Sequence, residues 1–265
     1  MTIKSLLFIS LTVLTINVKS QIFIEEGFDE INELSDWYFT NNSEQAGLNW
    51  NEGDTTKFIA FSGNPESYLG VGFESSTSNT PVTLSNWAIS PSRTFNNGDV
   101  IVFYSRRNEY ATVFPDRLEV RLSTDGNSTN TGFFPEDVGS FTSLLLSINP
   151  NLNTIDYPDT WTQYTIVLSG LTGPINGRIA FRYYVTDGGP NGNNSNYIGI
   201  DSFSYFSAMP PPSNDECVNA ILLDHDTNCD PELGSLMLAT SSMQGCAGIA
   251  NNDVWYEFTA STNVA

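Results

Sequence analysis

Residues 114–123, FPDRLEVRLS, decide the fold class. Leu118, Val120 and Leu122 alternate with Glu119 and Arg121, so one face of the segment is apolar and the other carries opposite charges. Side chains of a β-strand point alternately to its two faces, and this alternation is typical of a half-buried strand. The segment therefore predicts a strand whose apolar face packs against a core.

The same alternation recurs along the chain between loops rich in Asn and Gly. The other predicted strands are VIVFYS (100–105), YTIVLSGL (164–171), RIAFRYYVT (178–186) and YIGIDSFSYF (197–206). No segment has a sustained helical period, and the best helical candidate is a short turn at SFTSLLLSI (140–148). Many short strands with Asn- and Gly-rich turns predict an all-β sandwich.

Residues 1–20, MTIKSLLFISLTVLTINVKS, have the basic start, short apolar run and small residues of a secretory signal peptide. No later segment has the ~20 continuous apolar residues of a membrane helix. Removing Lys4 and Lys19 takes the net charge from −20 to −22. So acidic a chain lacks the clustered Lys and Arg that nucleic acids or anionic membranes require. We expect an exported protein with no nucleic-acid partner and no membrane insertion.

A proline-rich segment, AMPPPSND, interrupts the strand pattern. Consecutive prolines cannot continue a hydrogen-bonded ladder and favour an extended spacer. We therefore predict a main domain at 21–207, a linker at 208–213 and part of a second β-sandwich module at 214–265. Roughly fifty residues is short for an independent sandwich.

All three cysteines follow this linker: Cys217, Cys229 and Cys246. An odd number is unusual in an exported protein, where cysteines are paired. One candidate disulfide joins Cys217 and Cys229. Either one thiol stays free, or its partner lies beyond residue 265.

Signals of catalysis are weak. The single histidine, His225, has no nucleophile placed beside it by the sequence, and HExxH and GxGxxG are absent. Paired carboxylates serve sandwich-fold glycosidases, but Asp116 and Glu119 are three residues apart and point to opposite strand faces. We expect no enzymatic activity.

The arginines all lie between residues 93 and 182. Arg117 and Arg121 share a strand face with Glu119, and Arg182 shares one with Tyr184. One interpretation is a mixed-charge outer sheet face stabilised by cross-strand pairs. The other is a face that binds sugars or carboxylates, which makes Arg117, Arg121, Arg182 and Tyr184 candidate ligand-binding residues.

Two tryptophans are further candidates for ligand binding. Trp50 in GLNWNEGD and Trp161 in PDTWTQY flank predicted strands beside polar loops. Each is a candidate for a partly exposed platform, although burial in the core remains open for both.

The motifs NWAISP, DRLEVRLS, GRIAFRYY and IGID occur in the order and spacing of a known family. From about residue 22 to 206 the chain resembles the choice-of-anchor J domain, a relative of the cleaved-adhesin and MAM-like jelly rolls of exported Bacteroidetes proteins. Residues 214–260 are similar to a module that follows such domains and to the bacterial pre-peptidase C-terminal sandwich. Chains of this kind usually end in a sorting domain for type IX secretion.

The resemblance implies a jelly roll with a structural calcium ion. In related jelly rolls, acidic side chains near the first and last strands meet over the ion. Carried over by position, FDE supplies Asp29 and GID supplies Asp201, with Glu26 as a further acid. Ser202 stands where cleaved adhesins often have a second Asp. Calcium takes 6–8 oxygen ligands, so backbone carbonyls would complete the shell.

The resemblance also implies a function. We expect a non-catalytic adhesion or carbohydrate-recognition module, secreted or anchored at the outer membrane, whose partner is an extracellular glycan or a matrix or surface protein. One alternative is an accessory module of a secreted peptidase or glycosidase whose catalytic domain lies beyond residue 265. A second alternative is a structural spacer in a surface array.

Overall fold

A computed structural model describes residues 22–109, 114–206, 212–223 and 253–257. The predicted signal peptide lies outside these ranges, as do His225 and most of the predicted second module. Within the described ranges, no helix is long and apolar enough to cross a membrane.

Strands of 2 to 14 residues are the main regular structure of the described chain, and its helical segments there are three single 3-10 turns. The strands of the main domain are β1 (Ile22–Glu26), β2 (Tyr38–Asn41), β3 (Asn51–Glu52), β4 (Leu69–Gly72), β5 (Val82–Ile89), β6 (Arg93–Phe95), β7 (Val100–Arg107), β8 (Leu118–Ser123), β9 (Ser143–Ile148), β10 (Thr162–Val167), β11 (Ile175–Gly188) and β12 (Tyr197–Phe206). The 3-10 turns are Ile31–Glu33, Phe73–Ser75 and Cys217–Asn219.

Two antiparallel sheets pack face to face. The first has the strand order β10-β7-β12-β4-β3, with β1 also paired to β12. The second has the order β2-β5-β11-β8-β9, with β6 also paired to β11. Among the described strands of these two sheets, only β3–β4 and β8–β9 are neighbours both in their sheet and in sequence; the other paired strands are joined by crossover connections. The predicted all-β, jelly-roll sandwich is confirmed.

The core between the sheets is built from the apolar side of each alternating strand. On β8, Leu118, Val120 and Leu122 are buried in it, as the alternation predicted. Phe103 on β7 meets Phe181 on β11 edge to face, with ring centroids 5.0 Å apart, so the two sheets interlock through aromatic rings.

One element differs from its predicted structure. Residues 143–148 form the edge strand β9, not a helical turn, with Leu146 opposite Val120 and Ile148 opposite Leu118. The leucine run is apolar without a clear period, so pairing with the free edge of β8 decides its conformation. Short apolar runs do not distinguish helix from strand by themselves.

Beyond the predicted linker, two short strands pair in parallel: β13 (Ile221–Leu222) and β14 (Tyr256–Glu257). The Trp255 amide donates to the Asn214 carbonyl at 2.8 Å, which ties the two segments together. In the described part of this region Cys217 is exposed. Cys229 lies outside the described residues, so the disulfide and the domain boundaries stay predictions.

Candidate functional site

The arginine-bearing face of the second sheet contains a buried charge cluster. Register places Trp87, Arg182 and Glu119 side by side on β5, β11 and β8. Glu119 Oε2 accepts from Arg121 Nε at 2.7 Å and from Arg182 Nη1 at 3.1 Å. One carboxylate therefore serves two guanidinium groups.

Aromatic rings alternate with guanidinium groups along the same face. Arg182 Cζ lies 4.8 Å from the Trp87 ring centroid and 3.8 Å from that of Tyr184. Arg117 Cζ lies 4.3 Å from the Tyr184 centroid, and its Nε donates to the Tyr184 carbonyl. Such cation–π contacts strengthen when they are shielded from water.

A loop, residues 124–142, covers this outer face. Arg182 Nη2 donates to the carbonyls of Pro135 and Asp137, and Arg121 Nη1 donates to that of Phe141 at 3.2 Å. Phe141 also packs with Trp87 in a small second core outside the sheet. The arginines hold the loop on the sheet.

Because this loop covers Arg182, the prediction that Arg182 binds a ligand is wrong. Arg182 is 1% exposed, so a ligand in solution does not reach it. Arg117, Arg121 and Tyr184 are half-buried, and their cationic or aromatic surfaces are used in the contacts just described. The alternation correctly placed the arginines outward, but it carried no information about the loop that covers them.

The predicted platform at Trp50 is wrong. Its ring is 3% exposed and belongs to the main core, and Nε1 donates to the Asn86 carbonyl at 3.1 Å. Burying the indole removes a large apolar surface from water, and this bond satisfies its only donor. Position beside a polar loop was therefore a misleading signal of exposure.

Trp161 is half-buried in an aromatic cluster on the outer face of the first sheet. Its ring meets Phe58 and Tyr68 edge to face at 5.5 and 5.7 Å, and Nε1 donates to the Ile59 carbonyl at 2.9 Å. A Cβ at Gly199 would lie 2.8 to 3.0 Å from these three rings. The cluster packs directly on the backbone of β12.

An exposed aromatic pair lies on the same outer face. The rings of Phe61 and Tyr104 stack with centroids 3.7 Å apart, and Phe61 is 45% exposed. Tyr104 points outward because its neighbours on β7, Phe103 and Ser105, are buried. Its hydroxyl donates to Gln163 Oε1 at 2.8 Å, which fixes the ring. We name this pair the Phe61–Tyr104 platform.

Asp201 positions the loop that carries Phe61. Its Oδ2 accepts from the amides of Phe61 at 2.7 Å and Ser62 at 3.1 Å, and Oδ1 accepts from Ser202 Oγ at 3.1 Å. The residue is fully buried, and burial raises the pKa of its carboxyl. The predicted metal ligand Asp201 thus has both oxygens engaged by the protein.

An acidic cleft of about 340 Å³ lies beside the platform. Its lining is Glu25, Glu26, Gly27, Asp29, Ser62, Gly63, Ser202 and Ser204. Two of the three predicted metal ligands, Glu26 and Asp29, therefore share one cleft, whereas Asp201 lies beneath its wall. Among the described residues, no three His, Cys, Asp or Glu side chains converge closely enough to form a metal cluster.

The surroundings of the cleft disfavour the ionised form of Glu26. Burial raises the pKa of Glu26, and the charge of Asp29 adds to that shift. The amide of Phe28 donates to Glu26 Oε1 at 2.9 Å and opposes it. Because only oxygen donors line the cleft beside these charges, its chemistry suits a hard cation.

The sequence interpretation did not identify Phe61 or Tyr104. Tyr104 was visible as the outward member of an alternating strand, but Phe61 lies in a loop with no period. The sequence also gave no role to Asp116, which is fully buried and accepts from Tyr183 Oη at 2.5 Å and the Asn196 amide at 2.8 Å.

Neither a protein-family model nor a curated protein matches the chain. The K1 cleaved adhesin domain of Lys-gingipain from Porphyromonas gingivalis W83 is 20% identical, with 70% of this chain and 98% of that chain covered and a TM-score of 0.48. The K3 domain of the same protein is 17% identical, over 71% and 100%, with a TM-score of 0.43. TmCBM61, solved in complex with β-1,4-galactotriose, is 12% identical, over 71% and 100%, with a TM-score of 0.38. With TM-scores below 0.5, these similarities assign neither a function nor a site residue to the chain.

Proposed function

We propose that residues 22–206 form a non-catalytic binding module of an exported, cell-surface protein, and that the module recognises a glycan or a surface protein. The Phe61–Tyr104 platform carries this proposal. An exposed ring backed by a second ring offers a flat apolar surface, and sugar rings and aromatic side chains of a partner both pack on such surfaces.

The platform is preorganised for binding. The backbone amides of Phe61 and Ser62 both donate hydrogen bonds to Asp201, which fixes the backbone there. The hydrogen bond to Gln163 fixes the ring of Tyr104. Little side-chain freedom remains to be lost when a ligand packs on these rings, which lowers the cost of association.

Calcium is part of the proposal as a structural ion of the acidic cleft. Glu26 and Asp29 would supply carboxylate oxygens, and serine hydroxyls and backbone carbonyls would complete the shell. Asp201 would act by positioning the loop of Ser62 and Gly63, which forms one wall. A bound cation would offset the repulsion between Glu26 and Asp29 and stiffen the loop that carries Phe61.

Binding of the chain to an array of glycans and matrix proteins tests the proposal. Phe61→Ala and Tyr104→Leu should each weaken the strongest interaction, because each removes one ring of the platform. Phe114→Ala is a matched control, since Phe114 is 38% exposed and lies outside the platform.

The control variant should bind like the unmodified chain. If Phe61→Ala and Tyr104→Leu fold normally and bind as tightly as Phe114→Ala, the platform is not the recognition site. An array on which the chain binds nothing would contradict the proposed function itself.

A further inference from the structure

A second concave surface lies on the opposite side of the sandwich. On the edge strand β2, Tyr38 and Thr40 point to the outer face of the second sheet, where Thr40 is opposite Trp87. The covering loop passes beside this strand and leaves a groove of about 410 Å³. Its lining is Tyr38, Thr40, Asn42 and residues 128–132, and we name it the β2 groove.

The chemistry of the groove differs from that of the rest of the molecule. The chain has 30 acidic and 10 basic residues, yet every residue that lines the β2 groove is uncharged. Hydroxyl, amide and backbone groups dominate, and Tyr38 adds a ring that is 46% exposed. Neutral donors and acceptors around one aromatic plane match the hydroxyl groups and apolar ring faces of a neutral sugar.

Hydrogen bonds hold the walls of the groove in place. Asn42 Nδ2 donates to Thr131 Oγ1 at 2.9 Å and to the Gly132 carbonyl at 3.2 Å, so it ties the end of the strand to the loop. Asn130 Oδ1 accepts from the Gly132 amide at 2.9 Å, and Ser140 Oγ donates to Ser128 Oγ at 3.0 Å.

Two arginines of the sheet face hold the same loop from below. Arg182 donates to Pro135 and Asp137 carbonyls, and Arg121 to that of Phe141. The charge cluster of the sheet face therefore has a positional role: it fixes the loop that forms one wall of the β2 groove. A ligand entering the groove would lose little affinity to loop ordering.

We propose that the β2 groove is a second ligand site, which takes a neutral oligosaccharide. Tyr38 packs on the face of a sugar ring, and Ser128, Thr129 and Asn130 bond to its hydroxyls. The inference rests on the proposed function for its ligand class. The outer faces of the two sheets point away from each other, so one molecule with both sites would join two glycan chains.

Calorimetric titration of the chain with neutral xylo-, gluco- and galacto-oligosaccharides tests the site. Tyr38→Ala should weaken binding about tenfold or more, which corresponds to ~1.4 kcal/mol. Tyr38→Phe keeps the ring and should bind within a factor of about two. Thr129→Arg fills the groove with a long cation and should abolish this binding while the melting temperature stays unchanged.

The platform variant Phe61→Ala separates the two sites. Binding that survives Phe61→Ala and is lost in Tyr38→Ala and Thr129→Arg supports the β2 groove. If neutral oligosaccharides bind equally well after both groove substitutions but not after Phe61→Ala, the β2 groove is not a ligand site and the proposed function stands. If the chain binds only charged glycans or proteins, and this binding depends on Phe61, the conclusion is the same. If no variant and no unmodified chain binds any glycan or protein, both proposals fail.

Discussion

Arg182 Nη1 lies 3.1 Å from Glu119 Oε2, and the two side chains are 1% and 8% exposed. Burial lowers the pKa of the Arg182 guanidinium, while the charge of Glu119 and the hydrogen bond to it oppose that shift. A buried ion pair is strongly dependent on both partners, because removal of one leaves the other charged and desolvated.

Glu119→Gln should therefore destabilise the protein by about 3–5 kcal/mol. Urea denaturation followed by tryptophan fluorescence measures the loss. Asp159→Asn is the matched control, since the Arg107–Asp159 pair is 3.5 Å long with Asp159 half exposed, and should cost less than about 1 kcal/mol. If the two substitutions lower the free energy of unfolding equally, the buried Glu119 cluster contributes no more to stability than an exposed ion pair.

The alternation in FPDRLEVRLS predicted the strand and the direction of each of its side chains. A period of two fixes which residues face the core, and packing of the second sheet against the first completes the assignment. It did not predict the loop over the outer face, because residues 124–142 have no period and bind Arg121 and Arg182 through backbone carbonyls. Backbone acceptors leave no trace in the sequence.

The candidate sites were harder to predict than the fold for a related reason. Glu26 and Asp29 were identified as acids near the first strand, and they do share a cleft. Phe61 and Tyr38 are single aromatic residues whose exposure depends on distant segments. Trp50 shows the opposite case, because its bond to the Asn86 carbonyl makes burial favourable beside a polar loop.

Stability should depend on pH through Asp116. Burial raises the pKa of this carboxyl to about 6, above the unfolded value of about 3.9. Between these values the native state keeps a proton that the unfolded chain releases. The free energy of unfolding therefore falls as the pH rises from about 4 to about 6. The total change is on the order of 3 kcal/mol.

Asp116→Asn isolates this effect, because the amide oxygen still accepts from Tyr183 and Asn196 but does not titrate. The stability of the native chain minus that of the variant should decline across the window, measured by urea denaturation from pH 4 to 7. In the described chain Asp116 Oδ2 is buried without a hydrogen-bond partner, which is why ionisation is costly. A difference for Asp116→Asn that stays flat across this window would disprove the assignment.

Gly199→Ala should disturb the aromatic cluster on the first sheet. The added Cβ would lie 2.8 Å from Phe58 and 2.9 Å from Tyr68, closer than carbon atoms pack. Overpacking of this kind costs about 1–3 kcal/mol, measurable by urea denaturation. In a Phe58→Leu background the same substitution should cost less, because one of the contacting rings is gone. The same cost in both backgrounds would mean that the cluster is not the cause.

Calcium should stabilise the chain through the acidic cleft. At a hundredfold excess of calcium over its dissociation constant, linkage predicts about 2.7 kcal/mol of stabilisation relative to chelator, read as a higher melting temperature. Asp29→Asn and Glu26→Gln should each reduce that difference, since each removes a charged oxygen ligand, whereas Glu136→Gln in the loop of the opposite sheet should leave it unchanged. A melting temperature that is the same in chelator and in millimolar calcium would remove the ion from the proposal and leave Glu26 and Asp29 as repelling surface acids.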